Sequence, residues 1–176
     1  MTMEDPIIVV NYDPNWSIQY EQEKIQIIKA LDGKIVDIQH IGSTSVPGLA
    51  AKPIIDILLG LEIPPKPDQI SSLEALGYLY LGEFGIPGRH YFRRGMPRTH
   101  QIHAVQVDSE FWKTHILFRD FLRTHPEAAQ EYEALKRHLA VEFRYERDRY
   151  TDSKAPLINQ LLVQAKAWQQ ALEKIT

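Results

Sequence analysis

His40-Ile41-Gly42-Ser43-Thr44-Ser45-Val46-Pro47-Gly48-Leu49-Ala50-Ala51-Lys52-Pro53-Ile54-Ile55-Asp56-Ile57 is the stretch whose reading decides the fold. It closes one apolar run, Ile35 to Ile41, and opens another, Ile54 to Leu61, so two buried strands are expected with a glycine- and proline-punctuated link between them. Gly42 and Ser43 fall at the bend. Glycine lets a backbone approach a phosphate closely, while Ser43, the hydroxyls of Thr44 and Ser45 and the amides beside them donate to phosphate oxygens; a helical piece starting there adds a favourable dipole. The same residues also serve as a plain helix cap. Asp56 lies inside the second apolar run, where a carboxylate needs a metal, a cation or donors to offset its burial. A divalent ion over the same phosphates is the functional reading, and a pair with Lys52 or an arginine is the structural one.

Upstream, Tyr12-Asp13-Pro14-Asn15-Trp16 has the grammar of a helix start, with Asp13 to cap, Pro14 in the first turn and Gly33 to end it. Downstream, Pro64, Pro65 and Pro67 lead into a short helix near Asp68 to Leu76, stopped by Gly77. Strands are expected near Tyr78 to Phe84 and His100 to Val107, with His90 to Arg94 as a third, separated by turn-rich segments. From Asp108 or Ser109 onward the pattern is helical; Pro126 restarts it as far as about Glu146, and a last helix is expected from about Ser153 to the C-terminus. The fold class is therefore α+β, a mixed sheet with flanking helices and a C-terminal helical layer, and 176 residues make one domain.

Composition narrows the function classes. With no cysteine, a disulfide framework, a thiolate zinc site and a cysteine nucleophile are excluded. No apolar run approaches the roughly 20 residues of a membrane span. Met1 to Pro6 carries Glu4 and Asp5 where a secretory signal needs basic residues, so the cytoplasm is the expected compartment. A net charge of -3 argues against duplex nucleic acid on a broad basic face. Local charge is more telling: although the chain has 23 acids, none occurs from Ile38 to Ile55 or from Phe84 to Val107. The second window holds Arg89, Arg93, Arg94 and Arg98 with His90, His100 and His103, either a grip on an anion or a solvated hairpin. In a regular strand His100 and His103 point to opposite faces, and His103 shares a face with Gln101. His40 reads as a ligand contact or as a hydrogen-bonded structural histidine. Tyr150 and Lys154 flank the expected last helix start, where a lysine opposes the dipole unless an anion compensates.

The segment from His40 to Ile57 resembles the GrpB family, as do Tyr12 to Trp16, Gly82 to Arg89, Tyr91 to Arg94, His100 to His103, Phe118-Arg119-Asp120 and Tyr150 to Lys154, in one order across roughly Tyr12 to Ile158. The resemblance implies a nucleotidyltransferase-like fold with a nucleotide or another phosphate-bearing small molecule as ligand, and some family members are fused to an enzyme of coenzyme A synthesis. Gly42 and Ser43 would cradle phosphates, with His40, Thr44, Ser45, Lys52, His100, Tyr150 and Lys154 around them and Arg89, Arg93 and Arg94 balancing charge. Polymerase-like members carry two acids on the second strand, one residue apart. Here the second position is Leu58, so Glu83 is the expected partner of Asp56 in the catalytic pair, and His103 the third ligand of a Mg²⁺ (or Mn²⁺) ion. Two alternatives stay open: a non-catalytic nucleotide- or anion-binding module, and a Zn²⁺ or Mn²⁺ hydrolase built on His40, His100 and His103.

Overall fold

The computed structural model describes residues 5–174; of the two N-terminal acids, Glu4 lies outside the described residues. Helix α1 (Asn15–Ala30) precedes strand β1 (Asp37–Ile41), and a 3-10 turn (Ser43–Ser45) follows the bend at Gly42. Then come β2 (Ile55–Gly60), α2 (Pro67–Ala75), β3 (Leu79–Tyr80), β4 (His90–Arg94) and β5 (His100–Val105). Helices α3 (Glu110–Thr124), α4 (Pro126–Glu142) and α5 (Arg147–Glu173) complete the chain. The strands form one five-stranded mixed sheet in the order β1-β2-β5-β4-β3, with β2 and β5 parallel and the other neighbours antiparallel. This is the α+β architecture expected.

Local chemistry sets the boundaries. Asp13 accepts from the Asn15 amide at 2.9 Å, Gly33 takes a φ of +68° after α1, and Ser109 accepts from the Trp112 amide to cap α3. Two expectations need correction. The strand expected over Tyr78 to Phe84 is only Leu79–Tyr80, because Gly82, Phe84 and Gly85 all adopt positive φ and curl the chain into a loop. Helix α5 begins at Arg147 rather than about Ser153 and carries Pro156 in its interior. Lys154 thus sits two turns inside the helix, and the dipole argument does not apply to it.

Strand alternation sorts the site residues between two sheet faces. The first face buries Ile38, Ile55, Ile57, Leu59, Phe92 and Ile102 with Trp16, Tyr20 and Ile27 of α1 and Leu73 of α2. Register puts Ile41 opposite Asp56, and Asp56 beside Gln101, on the second face. There Ile41, Leu58 and Val105 pack on Trp112 of α3. The link after Gly42 is anchored on the same side, with Val46 and Leu49 packed among Phe121 and Leu122 of α3, Tyr132 of α4 and Leu161 of α5.

Candidate functional site

The bend and the lone acid converge. A Cβ placed on Gly42 would lie 2.6 Å from Asp56 Oδ2, and Gly42 has a φ of +73°, so only glycine lets the chain turn this close to the carboxylate. No side chain caps the 3-10 turn; instead the Ser45 hydroxyl donates to the Gly42 carbonyl at 2.5 Å, and Arg123 of α3 donates to the Ser45 carbonyl through Nε at 3.0 Å and Nη2 at 2.7 Å. Arg119 donates to the His40 carbonyl at 3.1 Å, fixing the strand end before the bend. Helix α3 thus holds the turn that presents Ser43.

Around Ser43 and Asp56 stand three buried or mostly buried lysines. The Lys136 ammonium of α4 donates to Ser43 Oγ at 2.9 Å and to the Ala50 carbonyl, and lies 4.8 Å from the Tyr132 ring centre. Lys52 of the link and Lys154 of α5 share the ring of Tyr150, at 5.0 and 4.5 Å. Burial first, then mutual repulsion, pushes Lys52 and Lys136 from 10.5 down to about 7; burial, partly opposed by Asp56, brings Lys154 to about 8. Arg147 and Arg98 add to the positive field at Lys52. Among the described residues, none of the three lysines has a carboxylate within ion-pair distance. Glu133, the nearest moderating acid to Lys136, is engaged with the Ala50 amide and Arg137.

Asp56 Oδ1 lies 3.4 Å from His103 Nε2, on the face expected for both. They border a cavity of about 390 Å³ that runs under α3, α4 and α5. Tyr91 and Arg98 extend this face: Arg98 Nη1 donates to the Tyr91 hydroxyl at 3.2 Å, and Arg93 contributes to the positive field at Tyr91.

Several expected participants do not join. Glu83 is turned into its own loop, where its carboxylate accepts from the Gly88 amide at 2.7 Å, so it does not pair with Asp56. Among the described residues no three His, Asp or Glu side chains come together in a way that would hold a metal. One carboxylate and one imidazole are a poor match for Mg²⁺, which asks for an octahedron of oxygens. The Asp56, Glu83, His103 triad is therefore corrected to an Asp56–His103 pair. Arg89 is spent on the same loop, donating to the Glu83 and Phe84 carbonyls at 3.1 and 2.8 Å. Arg94, His100 and His40 lie on the first face. Arg94 forms a 2.6 Å ion pair with Glu23 of α1, and His100 stands beside it. His40 bonds Thr44 Oγ1 at 3.0 Å and stacks on Tyr20, and burial pushes its pKa down to about 4, so it is a neutral structural imidazole. Thr44 is buried in that contact. A three-histidine metal centre is thus ruled out by strand alternation. Lys136 was missed by sequence reasoning. Its signal was a lysine at the i+4 position from Tyr132 on a stripe continued by Leu139 and Phe143, where a solvated charge does not belong.

The fold and site define an α+β protein with a cavity at the strand ends beside a cluster of three lysines, under a C-terminal helical layer. The family model described as GrpB protein matches residues 6–164, and the chain belongs to the GrpB family. It is 37% identical over 162 residues to the UPF0157 protein YqkA of Bacillus subtilis, matching 91% of this chain but spanning about half, 47%, of that relative. The glutamate-rich protein GrpB of Alkalihalophilus pseudofirmus is 32% identical, with 89% of this chain and 94% of that one covered. A dephospho-CoA kinase of Mycolicibacterium paratuberculosis is 27% identical over 93% of this chain and 47% of its own length. The crystal structure of GrpB from Enterococcus faecalis superposes with a TM-score of 0.81 at 38% identity, covering 92% of this chain and 99% of that one. No helix among the described residues is long and apolar enough to cross a membrane.

Proposed function

We propose that this chain is a cytoplasmic, nucleotidyltransferase-like protein that binds a nucleotide or another phosphate-bearing small molecule between Ser43 and the three lysines. One observation carries the reading. Lys136 is buried and Lys52 and Lys154 are half-buried, Lys154 lowers the proton affinity of the other two, and no carboxylate is paired to any of them among the described residues. Such a cluster is costly when empty and favourable around an anion with several oxygens. Ser43, with its hydroxyl already met by Lys136, and the amides of the tight bend supply neutral donors beside it. The relative named dephospho-CoA kinase is in keeping with a phosphate-bearing ligand.

Nucleotidyl or phosphoryl transfer is the reaction class that suits this arrangement, since cations aimed at a phosphate also stabilise charge on a group in transit. A specific observation favours a second reading, a binding module without turnover: with Leu58 at the second strand position and Glu83 bound in its loop, Asp56 has no carboxylate partner among the described residues. Calorimetry of the chain with pyrophosphate and nucleoside triphosphates, with and without Mg²⁺, followed by product analysis, separates the two. Binding of pyrophosphate that weakens at least tenfold in Lys52→Met supports the site. Equal binding in parent and variant removes it.

A further inference from the structure

We infer that the ligand is amphipathic, its phosphate facing the lysines and its uncharged, largely apolar body seated in the cavity beside Asp56. This rests on the phosphate-binding reading and adds what the rest of the molecule must be. The cavity, about 390 Å³, holds roughly a dozen heavy atoms at the ~30 Å³ that a water occupies in the liquid. Val46, Phe118, Leu122, Ile158 and Leu162 give it apolar walls. It borders the proposed phosphate site: Gly42, Ser43, Asp56 and Tyr132 line it, and Lys136, whose ammonium reaches Ser43, lies against the Tyr132 ring. Helix α5 links the two directly. Lys154 and Ile158 are one turn apart, about 6 Å along the axis, so one helix face passes from the cation cluster to the apolar wall.

The few polar groups in that wall define the body further. His115 Nδ1 faces the Phe111 carbonyl at 2.8 Å; a carbonyl only accepts, so Nδ1 carries the proton. Burial holds this imidazole neutral, which leaves Nε2 as an acceptor. His103 turns Nε2 to Asp56. Asp56 is itself an acceptor, partly exposed, and repels a second anionic group. The wall therefore selects a body with at least one N–H or O–H donor and no negative charge of its own.

The test is calorimetry of the full chain with inorganic phosphate, methyl phosphate, phenyl phosphate and 1-naphthyl phosphate. Burying an aromatic ring in place of a methyl group should tighten binding by at least about tenfold, so phenyl phosphate should exceed methyl phosphate by that factor. Leu162→Trp, which fills the cavity from a half-buried position on α5, should bring the two within twofold of each other. Equal affinities for methyl and phenyl phosphate in the parent chain overturn the inference even if the variant does not fold. If inorganic phosphate and all three esters fail to bind, the phosphate-binding reading itself falls and this inference goes with it. That outcome is distinct from binding without a preference for the larger body.

Discussion

Replacing Lys136 with methionine keeps most of the aliphatic stem and removes the ammonium, so it tests whether the charge in the cleft serves stability or a ligand. In the folded chain burial and neighbouring cations bring this group from 10.5 to about 7. At pH 7 the native state's reluctance to hold that proton corresponds to about 4 kcal/mol of destabilisation, an upper figure because the shift is shared with its neighbours. Against this, methionine leaves Ser43 Oγ and the Ala50 carbonyl without their donor, a loss of about 1–3 kcal/mol. The variant should therefore be more stable than the parent by about 1–3 kcal/mol at pH 7 without ligand. The sign fixes the pH profile. Because the native pKa lies below the unfolded one, the folded chain binds fewer protons between pH 7 and 10.5, and parent stability rises with pH across that window. The penalty is complete below pH 7 and absent above 10.5, so the methionine advantage should shrink on the alkaline side and reverse once only the lost hydrogen bonds remain. Urea unfolding between pH 6.5 and 10, with and without pyrophosphate, measures this. Pyrophosphate should stabilise the parent more than the variant. A variant less stable than the parent at pH 7 by more than about 1 kcal/mol would refute the reasoning, because Lys136 would then be a satisfied structural cation.

Three further outcomes follow from the same geometry. A phosphate monoester is fully ionised above its second pKa near 6, so from pH 7 to 9 only the lysines change charge; if one of Lys52 or Lys136 must be protonated to bind, affinity should fall about 50-fold over that range, and a flat calorimetric profile would exclude both. Gly42→Ala should cost about 2–4 kcal/mol in urea unfolding, since its Cβ would sit 2.6 Å from Asp56 Oδ2 at a φ of +73°, and unchanged stability would mean that the bend relaxes freely. Glu23→Gln should lower stability by about 2–3 kcal/mol by leaving Arg94 without its 2.6 Å partner, yet leave pyrophosphate affinity unchanged; altered binding would show that the two sheet faces are coupled.

How far the sequence carried this reading varied with how local each signal was. The bend at Gly42, the adjacent strands and the placement of Asp56 beside them were legible because glycine, serine and two apolar runs fix them within eighteen residues. The alternation of His100 and His103 was legible too, and it placed His103 on the face of Asp56. The arginine-rich window was readable only as a charge excess. Arg93 and Arg98 lie toward the cleft, Arg94 pairs with α1 behind the sheet, and Arg89 ties the loop that also holds Glu83. Which neighbour an arginine meets depends on packing across distant parts of the chain, and no spacing rule encodes it. Lys136 lay farther still from the motif. It reaches Ser43 from a helix 93 residues downstream, and only its misfit on an apolar stripe hinted at burial.

The environment of Asp56 also bears on why Leu58 stands where the resemblance to polymerase-like proteins leads us to expect an acid. Leu58 is fully buried with Ile41, Val105 and Trp112, so a carboxylate there would be placed in an apolar cluster with no cation of its own. Asp56 already interacts with the charges of Lys52 and Lys154, and Lys136 stands beside them at Ser43. A second carboxylate at 58 and the lysine cluster are alternative ways to hold an anionic phosphate: the first recruits a divalent ion to meet it, and the second presents fixed cations directly. The proposed function takes the second course, and the two differ in a measurable way. Fixed lysines bind pyrophosphate in the presence of a chelator, whereas a metal-bridged phosphate is released by one. Pyrophosphate affinity in EDTA should therefore be no weaker than in Mg²⁺, since free pyrophosphate meets the lysines with its full charge while the Mg²⁺ complex has less. Loss of binding on chelation would return the site to a carboxylate and metal mechanism and leave the lysines unexplained.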